Sequence, residues 1–113
     1  MSWVSRHFTK LYDRQVDALA NARLSGLELT VYLEIGKRRI HDDDGYYICR
    51  VNPAKVTEVT NAGKKSVFKA LKSLCQKTYV SGGAEIPILT KASSLGESVY
   101  YDNLFTDAEK DRL

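Results

Sequence analysis

Residues 52–80, NPAKVTEVTNAGKKSVFKALKSLCQKTYV, decide the fold. Asn52 before Pro53 is a helix start. Asn caps the free N–H groups of a first turn, and Pro at the first helical position has no N–H to lose. A short helix over 53–60 follows, with Val56 and Val59 marking its inner face. Asn61 falls where that helix must end in a left-handed residue, a conformation Asn tolerates better than any residue except Gly. Gly63 then serves as N-cap of a second helix over 64–77. At about 100° per residue, Val67, Ala70, Leu71 and Leu74 cluster within roughly one third of its circumference. Lys65, Lys69, Lys72 and Gln76 lie opposite, flanked by Lys64 and Phe68.

Two capped helices joined by a tight turn have the layout of a helix-turn-helix. Every charge from 64 to 77 is positive. A solvated helix face usually mixes signs, because Glu–Lys pairs four residues apart stabilise it. A face of lysines without acids repels itself for no folding gain, which is the character of a phosphate-contacting surface.

Upstream, Ser25-Gly26-Leu27-Glu28 is a capping box, and it opens a helix expected over 26–40. Its apolar residues fall into two stripes, one of Leu29, Tyr32, Leu33 and Ile40, the other of Leu27, Val31 and Ile35. Two stripes imply burial on two sides. Lys37, Arg38 and Arg39 then occupy the last turn, where cations favour the helix dipole. A shorter helix is expected over 13–22, with Val16, Leu19 and Ala20 on one side. Before it comes an arm carrying Trp3, Val4, Phe8 and Leu11.

Asp42-Asp43-Asp44-Gly45 is a polar turn. As a calcium loop it would need ligands at Ile40 and Val51, which have none to offer. Residues 46–51 read as a strand. Downstream, Tyr79-Val80 opens a strand, 86–91 reads extended, 92–97 as a loop and 98–102 as the returning strand. Thr106-Asp107-Ala108-Glu109 is a second capping-box pattern, with room only for a frayed tail turn.

Leu24-Ser25-Gly26-Leu27-Glu28, then a strand, then Gly63-Lys64-Lys65-Ser66-Val67, then a β-hairpin, resembles a winged helix-turn-helix domain. More narrowly, it is similar to the small winged-helix domains of plasmid and phage replication initiators and regulators. In those, a Leu-Ser-x-x-Glu helix start precedes a Ser-Lys-x-Thr-Val recognition helix. The resemblance covers about residues 8–103. It departs at Thr60, where the family has Leu or Ile, at Gly63, where it has a Ser or Thr cap, and in a hairpin over 82–99 whose one base is Lys91. It implies an α+β fold, a three-helix core with a β-hairpin wing. The recognition helix would enter the major groove and the wing would touch the adjacent backbone.

The 113 residues make one domain, with an N-terminal arm and helix over 1–24, a winged-helix core over 25–103 and an acidic tail over 104–113. The net charge of +3 is uneven: residues 64–91 balance to +5 and residues 97–113 to −3. The expected partner is double-stranded DNA, bound through Lys64, Lys65, Ser66, Lys69, Lys72, Gln76 and Lys91. The lysines would meet phosphates, while Ser66 and Gln76 are placed for base edges. The expected role is that of a regulator, replication-initiator domain or partition adaptor of a mobile element, working with a replication or partition protein. The competing reading is a winged helix that binds protein alone.

A homodimer is expected, because one recognition helix reads too few base pairs, with part of the surface formed by the Leu27, Val31 and Ile35 stripe and the Trp3, Phe8 and Leu11 arm as its contact; the alternative is that the arm folds back onto that stripe within one protomer. No apolar run approaches the roughly 20 residues of a membrane span. Two cysteines, Cys49 and Cys75, suit a reducing cytoplasm and small core positions. His7 and His41 have no ligand at metal-binding spacing, and there is no phosphate loop or nucleophile elbow. Neither enzyme nor cofactor is expected. Of Tyr46, Tyr47, Tyr100 and Tyr101, half should face the core, since strand neighbours point to opposite sides.

Overall fold

A computed structural model describes residues 11–95 and 98–113. The expectations for Trp3, Val4, His7, Phe8, Gly96 and Glu97 lie outside the described residues. The architecture is mixed α+β. Helix α1 spans Asp13–Asn21 and α2 spans Gly26–Gly36. Strands β1 (Arg39–His41) and β2 (Tyr47–Arg50) form a hairpin around the polar turn. Helices α3 (Pro53–Thr60) and α4 (Lys64–Gln76) follow, then β3 (Thr78–Ser81), β4 (Ala84–Pro87), β5 (Leu89–Lys91), β6 (Val99–Asp102) and α5 (Asn103–Glu109). One antiparallel sheet has the order β1-β2-β6-β5, and β3 pairs with β4 alone.

The local signals act as their chemistry dictates. Ser25 Oγ accepts from the Glu28 N–H at 3.1 Å while the Ser25 N–H donates to Glu28 Oε1 at 2.7 Å. Asn52 Oδ1 accepts from the Lys55 N–H and caps α3. Asn61 closes α3 at φ 55°, in the left-handed region. Val56, Val67, Ala70, Leu71 and Leu74 lock α3 and α4 against Val31, Tyr32 and Ile35 of α2.

Leu71 is 1% exposed. Leu71→Ala is expected to destabilise the domain by roughly 2–4 kcal/mol, because the cavity cannot collapse between two packed helices. The exposed Lys69→Ala should change stability by less than about 0.5 kcal/mol. Urea melts of the two variants check this, and the opposite order would mean that α4 is inverted.

Several expectations are corrected. The helix expected over 26–40 ends at Gly36, and Arg39 and Ile40 leave it to pair with Cys49 and Ile48 in the sheet. Long-range pairing wins over a helical stripe that Ile40 would have extended. The extended run over 86–91 breaks after Pro87, whose ring withholds a ladder N–H. Its first half pairs back across Gly82-Gly83 to β3, and its second half pairs with β6. There are thus two hairpins where one was expected. Val59 is 46% exposed, so Val56 alone of that pair faces inward. In α1, Val16 and Ala20 face out, and Gln15 is buried beside Leu19 instead.

The frayed tail is the helix α5, capped by Asp102 and not by Thr106. Leu104, Phe105, Thr106 and Ala108 are buried. The Leu27, Val31 and Ile35 stripe does not form a free surface. Val31 and Ile35 are core residues and Leu27 is packed against them, so a dimer cannot use this stripe.

Candidate nucleic-acid interface

The Asn61 turn sets α4 across α3 and turns its polar face outward. Lys64, Lys65, Ser66, Lys69, Lys72 and Gln76 are all exposed. Ser66, Lys69, Lys72 and Gln76 follow one another three or four residues apart, so they form a single stripe along α4. Phe68 is 42% exposed on the same helix, with Lys64 Nζ 6.0 Å from its ring centroid. A half-exposed aromatic among lysines is suited to a thymine methyl or a sugar face.

Lys91, distant in sequence, comes to the same helix. Strand β5 packs on α4, and the Lys91 backbone N–H donates toward the Cys75 thiol. The exposed Lys91 side chain therefore stands beside the last turns of α4. Burial pushes the Cys75 thiol up even with this donor and the lysine charge nearby. Cys49 is buried outright and its thiol is pushed up further, first by burial and then by the Asp102 charge. Both thiols thus stay protonated, which suits packing and not nucleophilic attack.

The N-terminus of α2 borders the lysine face, where Ser25 and Leu27 line a shallow groove with Ser66 and Lys69. Glu28 lies in the same groove, yet it does not oppose the lysines of α4. It is buried, and Lys77 Nζ reaches its Oε1 at 2.7 Å. Burial pushes the Glu28 carboxyl up, but Lys77, the Ser25 N–H and the Ser73 hydroxyl outweigh it and hold the group down to about 2. Lys77 thereby leaves the exposed face and joins α4 to the start of α2.

The other sequence-selected cations divide in the same way. Arg39 is buried against Asp102 at 2.7 Å, and Lys37 pairs with Glu34 at 2.7 Å. Arg38 remains exposed. The hairpin at Gly82-Gly83 packs against α1 and α5, where the Tyr79 hydroxyl donates to Asp107. It is the β5–β6 hairpin that carries Lys91 and adjoins α4. Its connection includes a 3-10 turn at Ser93–Leu95, with Leu95 46% exposed and no base among its described residues.

The tyrosines split as strand geometry requires. Tyr100 is buried in the main core, while Tyr101 lies on the opposite sheet face with Tyr46 at 5.9 Å between ring centroids. Tyr47 packs edge-on against Phe105, and the His41 ring lies tilted against Tyr47 with centroids 4.8 Å apart. Among the described residues, no cluster of His, Cys, Asp or Glu could hold a metal ion, and no helix is long and apolar enough to cross a membrane. No family model, curated protein or solved structure matches the chain.

Proposed function

We propose that this chain is a winged-helix protein that binds double-stranded DNA, with α4 as the helix that enters the major groove. The observation that carries the proposal is the acid-free face of α4. Four lysines are exposed on it, and Lys91 is brought beside it from another element. The Glu28 carboxylate that borders it is drawn away by Lys77. A positive surface without interleaved acids is what binding to a phosphate backbone requires.

The topology supports the winged-helix reading. After α2, the strands β2, β5 and β6 enclose α3 and α4 in sequence and lie in the order β2-β6-β5. That order places the last strand between the other two and leaves the β5–β6 connection as a wing. Strand β1 and the β3–β4 hairpin are additions to that plan.

In this reading Lys64, Lys65, Lys69, Lys72 and Lys91 meet phosphates and set affinity. Ser66 and Gln76 face base edges and set sequence preference. The setting of such a domain in a mobile element, as regulator, replication initiator or partition adaptor, rests on the resemblance alone. A second reading, a module that binds protein only, is favoured by the exposed Val59 and Phe68 on α3 and α4.

Salt dependence separates the two. Four or five phosphate contacts give a log–log slope of affinity against salt of roughly −4 per protomer. Fluorescence anisotropy with a short duplex at several salt concentrations measures it. A flat salt response, or no binding to any duplex at low salt, overturns the proposal.

A further inference from the structure

Helices α1 and α2 leave an apolar groove between them, lined by Leu11, Val16, Ala20, Leu29 and Leu33 together with Arg23. Leu11, Val16 and Leu29 are 37%, 48% and 38% exposed. Among the described residues, no other groove gathers three exposed large aliphatic side chains with so little polarity. The groove lies on α1 and α2, whereas the lysines are carried by α4 and β5.

The outer face of α1 has an order of its own. It reads Asp13, Val16, Asp17 and Ala20, all exposed, with Arg23 just beyond the helix end. Asp13 comes first, Val16 and Ala20 hold the middle with Asp17 to one side of them, and the base comes last. Asp17 apart, this order is self-complementary under a two-fold rotation. About the midpoint between Val16 and Ala20, an antiparallel second α1 sets Val16 of each copy against Ala20 of the other. The same operation sets Asp13 of each copy against Arg23 of the other. A two-fold interface demands such reciprocity, because each residue must meet its partner twice.

We infer that the α1–α2 groove is the contact between two copies of this chain, with their α1 helices antiparallel. Val16 and Leu29 are the apolar anchors and the two Asp13–Arg23 pairs fix the register. Association of this kind is independent of DNA binding and is tested without DNA.

Sedimentation velocity of the full chain at micromolar concentration is expected to show a species of twice the 12.7 kDa chain mass. Val16→Glu changes an exposed residue, so thermal melting should show it folded, and it should sediment as a monomer. Asp13→Arg and Arg23→Asp each place like charges together and should weaken association at least about tenfold. The double swap restores opposite signs and should recover most of the loss. That recovery belongs to the antiparallel register alone.

A wild-type monomer across the range overturns the inference. So does a dimer indifferent to Val16→Glu, or a double swap no better than the single ones. A full chain that stays monomeric and dimerises only once residues 1–10 are removed also overturns it, because the groove would then be filled by the chain's own N-terminus.

Discussion

Alanine at Lys65, Lys69 and Lys72 together is expected to weaken duplex DNA binding by about two to three orders of magnitude at roughly 0.1 M salt. The magnitude follows from counterion release. Each phosphate contact contributes about 0.9 to the log–log salt slope, and hence about 0.9 decade of affinity between roughly 1 M and 0.1 M salt. Without these three lysines the slope should also fall from roughly −4 to about −1.3. All three are exposed, so the fold should be untouched, and the variant's melting temperature is the control. Ser66→Ala and Gln76→Ala should behave differently. They should change which duplex is preferred and leave the salt slope alone, since base contacts release no counterions. The triple variant should bind hundreds of times more weakly than the parent if its lysines meet phosphates. Binding within about threefold of the parent would instead move the interface off α4.

What the sequence made legible was whatever is decided within one or two turns. The capping box at Ser25–Glu28, the Asn52-Pro53 start and the left-handed Asn61 are local hydrogen-bond and steric devices, and each appears where the residues place it. The division of α4 into a buried and a basic face followed from period alone, and the exposure of its polar residues agrees with it. The α+β class followed from the strand signals at 46–51 and 98–102.

Less legible was everything set by pairing across the chain. Arg39 and Ile40 suit a helix locally and become a strand because Cys49 and Ile48 offer a ladder. Lys91 gave no sign of which helix it would join, since it lies beyond Gln76 across Gly82 and Gly83, the turn of an unexpected hairpin. The last helix gave a misleading cap. Thr106 with Glu109 has capping-box spacing, but Asp102 accepts from the Phe105 N–H and starts the helix four residues earlier. Thr106 is instead buried, its hydroxyl donating to the Asp102 carbonyl and accepting from the Tyr47 N–H.

Asp102 is where the largest loss of stability is expected. It is fully buried, and its carboxylate ties four elements together. Oδ2 accepts from Arg39 Nε at 2.7 Å on β1. Oδ1 accepts from the Tyr32 hydroxyl on α2 and from the Phe105 N–H of α5, both at 3.0 Å. The Tyr32 oxygen in turn accepts from Gln15 Nε2 of α1 at 2.6 Å. Burial raises Tyr32, the Asp102 charge raises it further, and it stays a hydroxyl that can donate. Burial pulls Arg39 down, but the adjacent carboxylate more than offsets this, and the guanidinium stays charged. Its flat face covers the Phe105 ring at 4.1 Å, and Gly36 gives it room, since a Cβ there would lie 2.8 Å from Nη2.

Asp102→Ala removes the acceptor shared by the Arg39 guanidinium, the Tyr32 hydroxyl and the Phe105 N–H, and leaves a buried cation without its carboxylate. The expected cost is about 3–5 kcal/mol, a large part of a small domain's total. Asp102→Asn keeps an oxygen for the Phe105 N–H but loses the charge, and should fall between Ala and the parent. The pair Arg39→Met with Asp102→Leu should cost less than Asp102→Ala alone, because it removes the stranded charge along with its partner. Urea denaturation of the four proteins measures the series. If Asp102→Ala stays within about 1 kcal/mol of the parent, the ordinary cost of a point substitution, then the carboxylate is not what joins α1, α2, β1 and α5.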